Sequence, residues 1–117
     1  MSQSEQDRRI DYIEFPAADV AEAKRFFGDV FGWEFTDYGP EYTSFADGRL
    51  AGGFTTEGAV ATGGPLVVLY AKDLEAIKGN VAKHGGSVTR DTYEFPGGRR
   101  FHFRDPNGNE LAVWSDR

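Results

Sequence analysis

The amino-acid sequence predicts an α+β fold built from two βαβββ repeats, and three observations support this class. Two segments have apolar residues at helical spacing, and each follows an aspartate and precedes a glycine. Asp19 to Gly32 spans 13 positions (32 − 19), and Asp73 to Gly86 also spans 13 (86 − 73), at an offset of 54 (73 − 19). Short alternating segments typical of strands flank both. The alternative is a generic α+β domain whose two helices share similar caps.

The first predicted repeat covers residues 10–57 and follows a polar tail at residues 1–9. Its helix begins after Asp19, with Glu22 as the second member of a capping box, and ends at Gly32 in a left-handed conformation. The four strands of this repeat are predicted at Ile10–Phe15, Trp33–Tyr38, Tyr42–Ala46 and Leu50–Thr55.

A glycine-rich linker at residues 58–64 precedes the second predicted repeat, residues 65–117, and both repeats belong to one structural domain. Asp73 is the N-cap of the second helix. The segment Asp105–Gly108 (sequence DPNG) predicts a tight turn before the last strand, with Gly108 left-handed. The four strands of this repeat are predicted at Leu66–Ala71, Ser87–Arg90, Arg99–Arg104 and Glu110–Ser115.

Charge and composition exclude several classes of protein. The net charge is −6 and the pI is about 4.8, whereas a nucleic-acid-binding protein normally carries a basic surface. The absence of cysteine excludes disulfides and thiolate metal sites. No apolar run reaches the roughly 20 residues of a membrane span, and the N-terminus lacks the apolar segment of a signal peptide. We therefore expect a cytoplasmic protein that binds neither membranes nor nucleic acid.

Three motifs carry a family resemblance: DVAEAKRFF at 19–27 with VFGW at 30–33, HGGSV at 84–88, and FRDPNGNE at 103–110. In this order they resemble the vicinal-oxygen-chelate superfamily of glyoxalase I, bleomycin-resistance proteins and extradiol dioxygenases, over nearly the whole chain from Ile10 to Trp114. The resemblance implies the glyoxalase/bleomycin-resistance fold, in which curved mixed sheets surround a cavity. It also implies a homodimer, with the repeats paired within one chain or across subunits.

The same resemblance places the metal-ligand positions of the superfamily's enzymes on Tyr12, Gly52 or Gly53, Leu66 and Ala112. These enzymes use histidine, glutamate or glutamine there, and none of the residues present is a usual ligand of a divalent metal. The expectation is a metal-ligand-deficient member of the superfamily, with no metal and no other cofactor.

Strand alternation separates a core face from a face that lines the cavity. Glu14 and His102 are the candidate catalytic residues on the cavity face, because a carboxylate and an imidazole suit general acid–base chemistry. Two plainer interpretations stay open: Glu14 pairs with an arginine such as Arg100, and His102 is a solvated strand residue. The predicted ligand-binding residues are Tyr12, Glu14, Leu66, Val68, Tyr70, Arg100, His102, Ala112 and Trp114.

Three functional hypotheses follow. The first is a protein that binds a small amphipathic or aromatic molecule in a metal-free cavity, because the predicted lining is mostly apolar and aromatic. The second is a lyase, isomerase or dioxygenase-type enzyme of the same superfamily that uses Glu14 and His102. The third is an interaction module whose repeats serve mainly to dimerise.

Overall fold

A computed structural model of the chain describes residues 3–61 and 63–117. A short 3-10 turn (Gln3–Gln6) precedes eight strands and two α-helices. In chain order these are β1 (Tyr12–Pro16), α1 (Val20–Phe31), β2 (Glu34–Asp37), β3 (Tyr42–Ala46), β4 (Ala51–Thr55), β5 (Val67–Tyr70), α2 (Leu74–Lys83), β6 (Ser87–Phe95), β7 (Gly98–Arg104) and β8 (Glu110–Ser115).

The strands form two four-stranded mixed sheets, ordered β1-β4-β3-β2 and β5-β8-β7-β6. In each sheet the first strand pairs in parallel with the last strand of its repeat, and the remaining pairs are antiparallel. The crossover that a parallel pair requires contains the helix. The predicted α+β fold with two βαβββ repeats is therefore confirmed.

Helix α1 begins at an aspartate and ends at a glycine, as its sequence predicts. The side chain of Asp19 accepts a hydrogen bond from the backbone N–H of Glu22 at 3.1 Å, and Gly32 is left-handed with φ 73°. The predicted capping box is wrong in its second half, since the Glu22 carboxylate accepts from Arg25 Nε at 2.8 Å instead. The backbone N–H of Asp19 donates to Asn107 Oδ1 at 2.8 Å, so the second repeat supplies the missing acceptor.

One aromatic core joins the two repeats, with α1 at its centre. The ring of Phe27 stacks on Trp33 at 4.6 Å and on Phe54 of β4 at 5.2 Å. On the other side, the ring of Phe26 lies 6.0 Å from Phe103 of β7. Burying aromatic rings on both sides of one helix supplies much of the hydrophobic stabilisation of a small protein. The buried residues of α1 are Val20, Ala23, Phe26, Phe27 and Val30.

Two strands differ from the sequence prediction by two or more residues at one end. Strand β1 begins at Tyr12 rather than Ile10 and includes Pro16, which pairs with Thr55 at the end of the parallel ladder. Strand β6 continues to Phe95, whereas the prediction stopped at Arg90. The prediction stopped early because register shifts on both sides of Arg90 interrupt the alternation by which a strand is recognised.

The predicted turn after β7 connects the two repeats. The Asp105 carboxylate accepts N–H groups from Asn107 at 2.9 Å and Asn109 at 2.8 Å, and Gly108 is left-handed with φ 96°. The side-chain amide of Asn109 donates to the carbonyl of Pro16 at 2.8 Å, and that of Asn107 donates to the carbonyl of Asp19 at 2.9 Å. Burial raises the pKa of the Asp105 carboxyl, although the hydrogen bonds of the turn act in the opposite direction.

Neither α-helix, nor any other helical stretch within the residues described, has the length and apolar character that crossing a membrane requires.

A candidate ligand cavity between the repeats

A cavity of about 530 Å³ lies between the two repeats. Strand β1 and the linker form one side, and the start of β5 with parts of β7 and β8 forms the other. Most of its surface is apolar, and its polar side chains are two carboxylates, an imidazole and an amide. The lining residues are Ile13, Glu14, Phe15, Pro16, Ala59, Ala61, Gly63, Gly64, Pro65, Leu66, Val67, His102, Asn109 and Glu110.

On the side of the first repeat, a chain of hydroxyl groups ends on Glu14. The Tyr42 hydroxyl donates to Glu14 Oε2 at 2.9 Å and also shares a hydrogen bond with the Tyr12 hydroxyl. Desolvation raises the pKa of Tyr42, and its hydrogen bonds to Tyr12 and Glu14 raise it further. Tyr42 therefore stays protonated at neutral pH and acts as a donor to Glu14. A Cβ atom at Gly53 would collide with the Tyr42 hydroxyl, so this glycine makes room for the tyrosines.

On the side of the second repeat, His102 is neutral and is hydrogen-bonded to Tyr93. Arg100 Nε donates to the Tyr93 hydroxyl, and the same hydroxyl shares a hydrogen bond with His102 Nε2 at 3.0 Å. His102 Nδ1 lies 3.7 Å from Glu110 Oε2. Desolvation lowers the pKa of His102 and the charges of Arg100 and Arg90 lower it further, against the opposing effect of Glu110.

The cavity brings together Glu14, Leu66 and His102 of the predicted ligand-binding residues. Glu14 takes Tyr42 as its partner rather than an arginine, and Arg100 bonds to Tyr93. Glu14 and His102 thus face one cavity with separate hydrogen-bond partners.

The other predicted residues lie outside the cavity lining. Ala112 pairs with His102 in the sheet and is fully buried. Tyr12 bonds to Tyr42. The rest continue along the exposed side of the second sheet, where β5, β8 and β7 place them in register: Val68, Tyr70, Arg100 and Trp114.

Comparison with known protein families identifies the family of this chain. The sequence profile of the Glyoxalase/Bleomycin resistance protein/Dioxygenase superfamily matches residues 9–113. The chain belongs to this superfamily. No curated protein sequence matches the chain. The superfamily assignment agrees with the resemblance inferred from the three sequence motifs.

Solved structures of superfamily members share the fold at low sequence identity. A glyoxalase/bleomycin resistance protein/dioxygenase family enzyme from Burkholderia phytofirmans PsJN has a TM-score of 0.80 at 14% identity, over 92% of this chain and 100% of that one. Lactoylglutathione lyase from Agrobacterium tumefaciens has a TM-score of 0.73 at 22% identity, over 92% and 93%. The Mn(II)-complexed fosfomycin resistance protein FosX from Listeria monocytogenes has a TM-score of 0.78 at 14% identity, over 92% and 89%.

The ligand positions expected for metal enzymes of the superfamily do not fit a divalent cation in this chain. Tyr12 is hydrogen-bonded to Tyr42, Gly53 has no side chain, and Leu66 and Ala112 have no donor atom. Within residues 3–61 and 63–117, no group of three or more histidine, cysteine, aspartate or glutamate side chains is placed to hold a metal ion. Divalent metals need several such donors in one place.

Sequence reasoning missed three residues of this region. Tyr42 alternates with the buried Thr43 and Phe45, so the strand pattern already placed it on the side of Glu14. Tyr93 was missed because the predicted strand stopped at Arg90. Asn109 was assigned only to a turn. Nothing in the sequence indicates the hydrogen bond that its side-chain amide donates to the Pro16 carbonyl in the other repeat.

Proposed function

We propose that the protein binds a small amphipathic or aromatic molecule in a metal-free cavity between its repeats, acting in the cytoplasm as a homodimer. The cavity itself carries the proposal, since about 530 Å³ accommodates a molecule of one to three rings. Its apolar surface comes from both repeats, for example from Ile13, Leu66 and Val67. Such a lining gains hydrophobic stabilisation from an apolar ligand body and excludes water from it.

The few polar groups of the cavity orient a ligand rather than hold it by charge alone. Glu14 and Glu110 present carboxylate oxygens, which accept hydrogen bonds from a ligand hydroxyl or amine. His102 is neutral and has its ring fixed by Tyr93. When the polar group of the ligand is hydrogen-bonded to Glu14, the apolar part of the ligand contacts Leu66 and the linker.

One observation supports a second candidate function, an enzyme of the lyase, isomerase or dioxygenase type. Glu14 and His102 line the same cavity, and an unprotonated imidazole at neutral pH is able to take a proton from a bound substrate. If this holds, Glu14→Gln and His102→Asn abolish turnover while each variant still binds the cavity ligand. Loss of binding alone supports the first candidate instead.

The homodimer is supported by apolar side chains that the single chain leaves uncovered. Ile10, Tyr12 and Val68 are all exposed. A group of exposed apolar residues of this kind is typical of an interface. We expect sedimentation velocity to give a dimer, and Val68→Glu to give a folded monomer. A wild-type monomer at high concentration contradicts this part of the proposal.

Binding is tested with N-phenyl-1-naphthylamine, a neutral aromatic probe whose fluorescence rises in an apolar site. Leu66→Trp fills the cavity and is expected to weaken probe binding roughly tenfold or more. Val88→Trp is the matched control, because Leu66 and Val88 are each 36% exposed but Val88 does not line the cavity. Equal binding by wild type and Leu66→Trp overturns the cavity as the site.

Metal dependence is tested by metal analysis of the purified protein after incubation with Ni, Zn, Fe or Mn. Stoichiometric metal held by native residues contradicts the metal-free proposal. We expect substoichiometric metal and unchanged probe binding after chelation. Mass spectrometry of small molecules released from the freshly purified protein identifies a natural occupant.

A further inference from the structure

Two arginines of the second repeat approach the same aromatic ring. The guanidinium carbon of Arg90 lies 3.6 Å from the centroid of the Tyr93 ring, and that of Arg100 lies 5.4 Å from it. Arg90 and Tyr93 belong to β6, and Arg100 is the partner of Tyr93 on β7. Nε of Arg100 also donates to the Tyr93 hydroxyl. Neighbouring strands therefore hold both cations beside one ring.

Neither of these arginines forms an ion pair with any residue in the described part of the chain. A shortage of carboxylates does not explain this, because acidic residues outnumber basic ones by 19 to 13. A cation–π contact holds a guanidinium in place but leaves its charge available to an anion. Other basic side chains do have acidic partners: Lys24 with Asp37, Lys78 with Asp91 and Arg99 with Glu75.

Aromatic side chains continue from the arginines along the same side of the sheet. Arg100 lies 5.8 Å from the Phe95 ring and is the sheet partner of Trp114. The Trp114 ring lies 6.1 Å from Phe95 and 5.2 Å from Tyr70. These three rings are only partly buried or exposed. Flat apolar surface thus adjoins two uncompensated positive charges, an arrangement that suits a ligand with a ring and an anionic group.

The positive field of the pair extends to the neighbouring imidazole. Arg100 and Arg90 both lower the pKa of His102, in the same direction as its desolvation. Tyr93 links the arginine pair to the imidazole, because its hydroxyl is hydrogen-bonded to both Arg100 and His102. A bound anion would offset this positive field, so its binding would raise the pKa of His102 and would be detectable there.

From this geometry we propose a second ligand site, formed by Arg90, Arg100 and Trp114, that binds a small aromatic carboxylate. Guanidinium groups match carboxylates through paired, charge-assisted hydrogen bonds, and the ring of the ligand stacks on the indole. Neither the arginines nor Trp114 line the cavity between the repeats. The site therefore goes beyond the proposed cavity function and stands or falls separately.

Titration calorimetry with two probes of one shape tests the site. 2-Naphthoate carries the carboxylate and 2-naphthamide is its neutral counterpart. We expect wild type to bind 2-naphthoate roughly tenfold or more tightly than 2-naphthamide, and added salt to reduce the difference. Arg90→Gln with Arg100→Gln is expected to remove the preference. Arg49→Gln with Arg99→Gln makes the same change in net charge elsewhere and is expected to keep it.

Three results overturn the site: no binding of 2-naphthoate, equal binding of both probes, or an unchanged preference in the Arg90/Arg100 double variant. The cavity-filling variant Leu66→Trp separates this proposal from the cavity function. We expect it to bind 2-naphthoate as wild type does. If Leu66→Trp loses 2-naphthoate, the anion occupies the cavity and the second site is wrong, while the cavity function stands.

Discussion

The two repeats share a strand order and a helix spacing, yet they use their helices differently. Helix α1 buries five residues, whereas α2 buries only Leu74 and Val81. At the repeat offset of 54, Phe27 corresponds to Val81 (81 − 27), and both side chains are fully buried. The same backbone position thus holds a large ring in one repeat and a small aliphatic group in the other. Helix α1 therefore contributes more buried side chains to the core than α2.

The sides of the sheets that face away from the helices differ in charge. In the first repeat a carboxylate, Glu14, is hydrogen-bonded to Tyr42 and is the sheet partner of Gly53. In the second repeat the corresponding surface carries Arg90, Arg100 and a neutral His102. A repeated fold therefore constrains backbone and core, while the two exposed sheet surfaces are free to acquire opposite chemistry.

The largest expected effect tests the unequal cores. Phe27→Ala removes a ring that contacts Trp33 and Phe54, and we expect it to lower the free energy of unfolding by about 3–5 kcal/mol. The matched change Val81→Ala removes a smaller buried group and is expected to cost about 2 kcal/mol. Urea denaturation measures both values. Equal losses would mean that α2 contributes as much to the core at this position as α1.

The next largest effects concern two adjacent glycines of β4, one facing the core and the other facing the opposite side of the sheet. Gly52→Ala puts a methyl group against the Ile13 carbonyl and the Phe45 ring, and we expect a loss of about 1–3 kcal/mol. Gly53→Ala displaces the movable ends of the Tyr42 and Tyr12 side chains. We expect a smaller loss of stability but a disturbed Tyr42–Glu14 hydrogen bond. Thermal melts compare stability, and tyrosine hydroxyl NMR signals report the bond. A greater loss for Gly53→Ala contradicts this assignment of faces.

The contact between the repeats is tested by Asn107→Ala. This change leaves both backbone groups of Asp19 without their side-chain partner and is expected to cost about 1–2 kcal/mol. Asn80→Ala on the exposed side of α2 is the control and is expected to change stability by less than about 0.5 kcal/mol. Denaturant midpoints measure both. An Asn107→Ala variant as stable as the control shows that the contact does not couple the repeats.

The smallest effect concerns the pH dependence of His102. Its pKa in the folded state is lowered, so below about pH 6.5 the unfolded chain takes up a proton first and stability falls as pH falls. His102→Gln removes this part of the pH dependence. NMR titration is expected to give a His102 pKa below 6.5, and Arg100→Gln is expected to raise it. A pKa that falls or stays constant in Arg100→Gln contradicts the assigned cause.

Sequence patterns predicted the fold class well, because periodicity and caps report on local structure. Asp19, Gly32 and Gly108 each have the conformation that their residue type favours. The pattern failed at β6, where register shifts around Arg90 interrupt the alternation. It also failed for pairs distant in sequence: alternation places Tyr42 on the side of Glu14, but it does not indicate that the two side chains meet.

The hydrogen bond from the backbone of Asp19 to Asn107 crosses 88 positions of the chain. A helix that begins with the help of a residue so far along the chain is completed only after that residue has left the ribosome. During synthesis the phenylalanines of the first repeat would stay exposed until the turn that contains Asn107 has been made. Truncation before that turn should therefore yield an aggregating product, and separately expressed halves should need each other to become soluble.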